Sequence, residues 1–174
     1  MSFLSRLLGT EPDPREEVRA LWYKCVEIAR EPEWYSECGV ADTLDGRFDM
    51  VSAVLAMVML RMEGDSQLAP RTGLLAEFFV EDMDGQLRQS GVGDLMVGKK
   101  IGKLMSTLGG RISAYRDGFA QSENAVIGAV AEAVSRNVEL REGAEGERVA
   151  RRLNALRGRL AETTSDAVLA GDIG

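Results

Sequence analysis

The chain has 174 residues, 45% hydrophobic and 6% aromatic, with 21 basic and 28 acidic side chains and no histidine. That length supports one well-buried core, and a net charge of −7 argues against nucleic-acid binding by phosphate neutralisation. Without histidine the chain builds no Ser-His-Asp or Cys-His nucleophile, no His-ligated zinc and no His-ligated haem.

In chain order, "EPDP" (Glu11 to Pro14) interrupts the start, so residues 1–12 are expected to be a tail or short helix and 13–174 one helical domain. Asp13 can cap the next helix, with Pro14 in its first turn and Glu16 and Glu17 at its positive end. Val18, Leu21, Trp22, Val26 and Ala29 form an apolar stripe that stops near Pro32. "WYSECG" reads as a helical turn closed by Gly39. The cysteines, Cys25 and Cys38, have no metal or redox spacing and point to a reducing compartment. Asp42 and Asp45 are spaced to cap a helix that Phe48 opens and that runs to Met62. Its apolar run "VSAVLAMVML" is about half the roughly 20 residues of a membrane span. The opening "MSFLSRLLG" has neither the length nor the cleavage site of a secretory signal, and predicts a protein soluble where it is made.

"EGDSQLAP" reads as a loop. Leu74, Leu75, Phe78, Phe79, Met83 and Leu87 mark an amphipathic helix ending before Gly91. Further helices are expected over Ala125 to Val138 and Glu147 to Leu169, joined by "REGAEG". The fold class is all-α, a single-domain bundle of about six to eight helices.

The segment "SGVGDLMVGKKIGKLM", residues 90–105, raises a phosphate question. Gly93, Gly98 and Lys99 match the start of a P-loop, but Lys100 stands where its hydroxyl residue belongs, and the upstream "EDMDGQLRQS" reads as a polar helix end instead of a strand. A helix fits better: Ile101, Leu104, Leu108, Ile112, Tyr115 and Phe119 recur every three or four residues, with Asp94 at the N-cap. Gly98, Gly102 and Gly109 fall near one side. Each costs about 1 kcal/mol relative to Ala, which predicts close approach of another backbone, either a core helix or a partner. From Ser90 to Arg116 there are five bases (Lys99, Lys100, Lys103, Arg111 and Arg116) against Asp94 alone. Such segregation suits a solvated face, an oriented partner or an anionic membrane surface. "EDMDG" fails as an EF-hand, because Val80 and Gly91 would fall on its first and last ligand positions. Neither metal nor cofactor is expected, and no catalytic constellation appears. The residues read as those of a binding protein.

Four blocks, "WYSECGVADTLDGRFDM", "EDMDGQLRQSGVGDLMVGKKIGKL", "GGRISAY" and "SRNV", occur in this order between Val18 and Val138. Together they resemble the signature of the ubiquinol–cytochrome c reductase assembly chaperones, the cytochrome b chaperone family of mitochondria and alphaproteobacteria. The resemblance implies a helical, non-enzymatic protein that holds newly made cytochrome b during assembly of the bc1 complex. It also implies contact with the ribosome or a small partner protein, as in mitochondrial members, and peripheral contact with the inner membrane. The lack of a targeting leader favours a bacterial, cytoplasmic form.

Carried onto this sequence, the signature nominates Asp42, Gly46, Arg47 and Phe48 in the first block. In the second it nominates Asp82, Asp84, Arg88, Gly91, Gly93, Asp94, Gly98 and Lys99, with Lys100 and Lys103 on the basic face, and Arg111 and Tyr115 beyond. Arg47, Arg88 and Lys99 suit either binding or an internal salt bridge to Asp82 or Asp84, and a polar network between the first two blocks would serve either role. Met50, Met57, Met59, Met62, Met83, Met96 and Met105 suit either a core or an adaptable client groove. The alternatives are a peripheral membrane scaffold using "FLSRLLG" and the lysines, and a nucleotide-binding protein using a Gly98-Lys99 turn.

Overall fold

The computed structural model describes residues 13–89 and 94–174, with the side chains of 13–85 and 102–174. Among these the chain forms α1 (Glu16–Ala29), α2 (Pro32–Ser36), α3 (Leu44–Glu63), a 3-10 turn (Ala69–Arg71), α4 (Thr72–Gln89), α5 (Asp94–Phe119), α6 (Val126–Asn137), α7 (Glu147–Glu162) and α8 (Ser165–Leu169). Among the described residues there is no strand, and the one isolated bridge pairs Val40 with Leu140. The expected tail of residues 1–12 lies outside the described residues.

Helix α3 is the axis of the fold. Every residue from Met50 to Met59 is buried, as befits a helix that is apolar all round. Helices α1, α5 and α7 pack around it, α4 bridges α1 and α5, and α6 lies between α5 and α7. Each outer helix buries one stripe: Val18, Leu21, Trp22, Cys25 and Ile28 on α1, and Val149, Leu153, Leu156 and Leu160 on α7. Burying a Leu or Met side chain of this kind stabilises by about 1.5–3 kcal/mol, and one continuous cluster runs from Val18 to Ile173. Two of the polar side chains that enter it bond to backbone: the Ser52 hydroxyl donates to the Phe48 carbonyl at 3.1 Å, and Trp34 Nε1 donates to the Ile28 carbonyl at 2.7 Å.

Several details differ from the expectations. Helix α3 begins at Leu44, and its cap is Thr43, whose hydroxyl accepts from the Gly46 N–H at 3.0 Å, not Asp42 or Asp45. The expected helix from Glu147 to Leu169 breaks at Thr163, and Thr164 caps the new one by accepting from the Ala167 N–H at 3.3 Å. Arg61 fastens this junction to the end of α3, donating to the Leu160 and Thr163 carbonyls at 2.9 and 3.1 Å and to Asp65 at 2.9 Å. Met50, Met57, Met59 and Met62 are core and line no client groove, while Met83, also buried, lines a surface cleft. Met105 is partly exposed, and the side chain of Met96 lies outside the described set.

Candidate functional site

The first signature block builds one wall of a cleft. Gly39 takes φ +87°, a backbone that L side chains avoid, and turns the chain out of α2. The next residues run beside the segment after α6: the Ala41 N–H donates to the Glu139 carbonyl at 2.9 Å, and the Arg141 N–H donates to the Gly39 carbonyl at 2.8 Å. Gly46 sits in the first turn of α3 against the Ala41 carbonyl. A Cβ there would lie 2.1 Å from that oxygen, so the position admits no side chain without moving backbone. The following residues, Arg47 and Phe48, are thereby fixed at the cleft edge.

The cleft encloses about 830 Å³. Its deeper residues are Val40, Val51 and Met83, all buried, with half-buried Phe48 and Tyr35. The Tyr35 hydroxyl donates to the Ala29 carbonyl at 2.8 Å, which ties α2 to the end of α1. Burial raises the Tyr35 phenol above its ordinary range, partly opposed by Arg47 and Arg30. The rim carries the exposed residues Arg30, Arg47, Arg141, Asp42 and Leu44, the last of them 67% accessible. Arg47 Nε meets Asp42 at 2.7 Å, and the guanidinium holds the Asp42 carboxyl below the usual carboxylate range. Three guanidiniums against one carboxylate leave the rim positive.

Beneath Phe48 lies a second pair. Arg111 on α5 is ion-paired with Asp49, and both side chains are largely buried (9% and 13% accessible). The Arg111 guanidinium carbon stands 5.6 Å from the centroid of the Phe48 ring, within range of a cation–π contact. Asp49 also accepts from the Glu139 N–H at 2.9 Å, and the Thr43 hydroxyl bonds Glu139. Burial raises the Asp49 carboxyl despite the opposing pull of Arg111. Arg111 Nε and Nη1 and the hydroxyl of fully buried Tyr115 have no hydrogen-bond partner among the described residues. Asp49, Arg111 and Glu139 thus join the first block to "GGRISAY" and to the segment after "SRNV".

The remaining nominated residues scatter. Asp82 accepts from Trp22 Nε1 at 3.1 Å, and Asp84 is half-buried on α4. The polar contacts of Thr43 and Asp49 in the first block run to Arg111 and Glu139, and α4 contributes Met83 to the cleft; most side chains of the second block lie outside the described residues. Lys103 is exposed on α5. Gly91 and Gly93 lie outside the described residues, as do the side chains of Arg88, Asp94, Lys99 and Lys100. Gly98 and Lys99 belong to helical backbone that starts at Asp94, so the phosphate-cradling turn of the nucleotide reading is not formed there. Gly102 and Gly109 face open space, with nothing within 4 Å of an added Cβ. Among the described residues no core helix approaches them as expected. Arg30, Arg141, Tyr35 and Asp49 were missed by the sequence reading. Asp49 was legible as the residue after "DGRF", while Arg30 and Arg141 carry no local signal.

The cysteines offer little chemistry. Both are free and buried; burial pushes the Cys25 thiol up to about 12 and raises Cys38 as well, which keeps both protonated and weakly nucleophilic. Among the described residues no group of three or more acidic or cysteine side chains could hold a metal ion. Nor is any helix among them long and apolar enough to cross a membrane.

The family model described as ubiquinol-cytochrome C chaperone matches residues 36–173, well over half the chain. A crystal structure of the Cbp3 homolog from Brucella abortus is similar in fold, with a TM-score of 0.78 and 28% sequence identity, over 99% of this chain and 96% of that one. No curated protein sequence matches. The chain that carries this arginine-rimmed cleft belongs to the ubiquinol–cytochrome c chaperone family.

Proposed function

We propose that the protein is a non-enzymatic assembly chaperone that binds newly made cytochrome b and assists biogenesis of the bc1 complex. It works in the cytoplasm with peripheral contact at the inner membrane. The observation that carries this reading is the convergence of two signature blocks and the segment after a third on one place: Asp42, Arg47 and Phe48 at the cleft, Arg111 beneath Phe48, and Glu139 closing the wall. Residues that local capping and turn formation do not require meet around an accessible apolar depression in a chain of a chaperone family. A client with unprotected apolar helices needs such a surface on a protein that stays in solution.

Of the nominated residues, we assign client contact to Asp42, Arg47 and Phe48, and support of the cleft to Gly46, Arg111 and Tyr115. Exposed Lys103, with Lys99 and Lys100 beside it in sequence, supplies membrane-facing charge. The test is a tagged pull-down from the native host after mild in-cell cross-linking, read by mass spectrometry. The cytochrome b subunit is expected to be enriched over abundant membrane proteins. Its absence, with other membrane proteins cross-linked well, would remove the client.

A further inference from the structure

We infer that the cleft takes an acidic, amphipathic peptide segment, with an apolar side chain seated against Phe48, Val51 and Met83 and flanking carboxylates on Arg30 and Arg141. The inference deepens the chaperone reading and rests on it for the identity of the protein that carries the segment. The cleft itself argues its chemistry.

The charge balance comes first. Asp42 and Arg47 neutralise each other at 2.7 Å. Arg30 has no ion pair among the described residues, and Arg141 gives a long hydrogen bond of 3.3 Å to the Ser36 carbonyl. Two guanidiniums are therefore in excess on one rim of a protein whose total charge is −7. Guanidinium recognises carboxylate through a planar, two-pronged fork, and a partner displacing water here strengthens both contacts.

The apolar part comes second. Leu44 is 67% accessible beside these charges, and the depth behind it is built from Val51, Met83 and the Phe48 ring. At about 830 Å³ the space suits a few side chains. The cleft is partly open to solvent, so a long acyl chain laid in it would stay wet on one side, while a peptide can turn its apolar side chains inward and its polar ones to water. The walls are also fixed in advance: Tyr35 is tied to Ala29, Trp34 to Ile28, and Thr43 caps α3. A preformed site binds without the cost of ordering itself.

The test uses the full-length protein and fluorescence anisotropy with labelled synthetic peptides. One designed peptide alternates leucine with glutamate, and its counterpart carries glutamine for glutamate. A third set tiles the cytochrome b subunit of the same host. The Leu/Glu peptide is expected to bind, and its glutamine counterpart to bind at least about tenfold more weakly. Arg30→Gln and Arg141→Gln should each weaken it about tenfold, the loss of one charge-assisted hydrogen bond. Both sites are exposed, and unchanged melting curves would show that the variants are folded. Equal binding of the two designed peptides, or full binding by both arginine variants, would overturn the proposal.

Arginine-dependent binding of the designed acidic peptide without binding of any cytochrome b peptide would support the cleft chemistry and remove cytochrome b as the client. Cytochrome b peptides that bind without arginine dependence would do the reverse. Vesicles of phosphatidylglycerol that bind in an arginine-dependent way, with no peptide binding, would assign the site to a lipid surface and overturn the peptide.

Discussion

Two aspartate–arginine pairs stand less than two helical turns apart near the start of α3 and differ in almost everything but composition. Asp42–Arg47 is local in sequence and exposed, with 58% and 60% of its side chains accessible; Asp49–Arg111 spans the chain and is nearly closed from water. Water screens the first, so it contributes little to stability and its charges remain available to a partner. The second has lost its hydration. Its attraction offsets a desolvation cost that the unpartnered Nε and Nη1 of Arg111 increase. Even the carboxyls move in opposite directions, Asp42 held below its ordinary range by a guanidinium and Asp49 raised by burial. The same two side chains make a working surface in one place and a joint between signature blocks in the other.

The largest effect should come from breaking the joint. Arg111→Ala strands a buried carboxylate and is expected to cost about 3–5 kcal/mol in urea unfolding. The double variant Asp49→Leu with Arg111→Met should recover most of that loss, because no charge is left buried. If Arg111→Ala costs no more than Arg47→Ala, the distinction between the pairs collapses. Gly46→Ala forces a Cβ toward the Ala41 carbonyl and should cost about 1–3 kcal/mol by overpacking, with weaker peptide binding because Arg47 and Phe48 follow it.

Arg47→Ala should leave stability nearly unchanged, since water screens the exposed pair, while altering client cross-linking, which differential scanning calorimetry and a pull-down would separate. Carboxyl NMR sharpens the contrast: Asp42 should titrate below about 3.9 and Asp49 above it. The signs then differ. The contribution of Asp42 to stability is present above its unfolded pKa and lost as pH falls through the folded one. That of Asp49 is present below its unfolded pKa and lost as pH rises through the folded one. Asp49→Asn should abolish the second trend alone. Smallest is the joint replacement of Lys99, Lys100 and Lys103 by glutamine, expected to leave helicity by circular dichroism unchanged while weakening binding to anionic vesicles.

The all-α fold and the core role of α3 were legible because "VSAVLAMVML" is apolar on every face and outer stripes such as Val18, Leu21 and Trp22 repeat at helical spacing. The start of α3 was harder. Asp42, Thr43 and Asp45 all suit a cap, and only the three-dimensional path shows Thr43 bonding Gly46 while Asp42 turns to Arg47. The methionines could not be divided by pattern alone, since core and adaptable surface share the same spacing. Arg30 and Arg141 meet at one cleft only because the end of α1 and the segment after α6 come together there. The glycines of α5 predict close approach of a core helix or a partner, and a Cβ added at Gly102 or Gly109 meets nothing among the described residues. Periodicity marked their side of the helix without telling what covers it.

The central claim is that the client docks at the arginine-rimmed cleft. The most direct measurement places a photo-reactive amino acid at Leu44, on the rim, and in a second strain at Tyr23, an exposed apolar side chain outside the cleft. Both proteins are irradiated in the native host, and the adducts are identified by mass spectrometry. The account predicts cytochrome b adducts from position 44 and far fewer from position 23. Cytochrome b captured equally from both positions, or from position 23 alone, would contradict it.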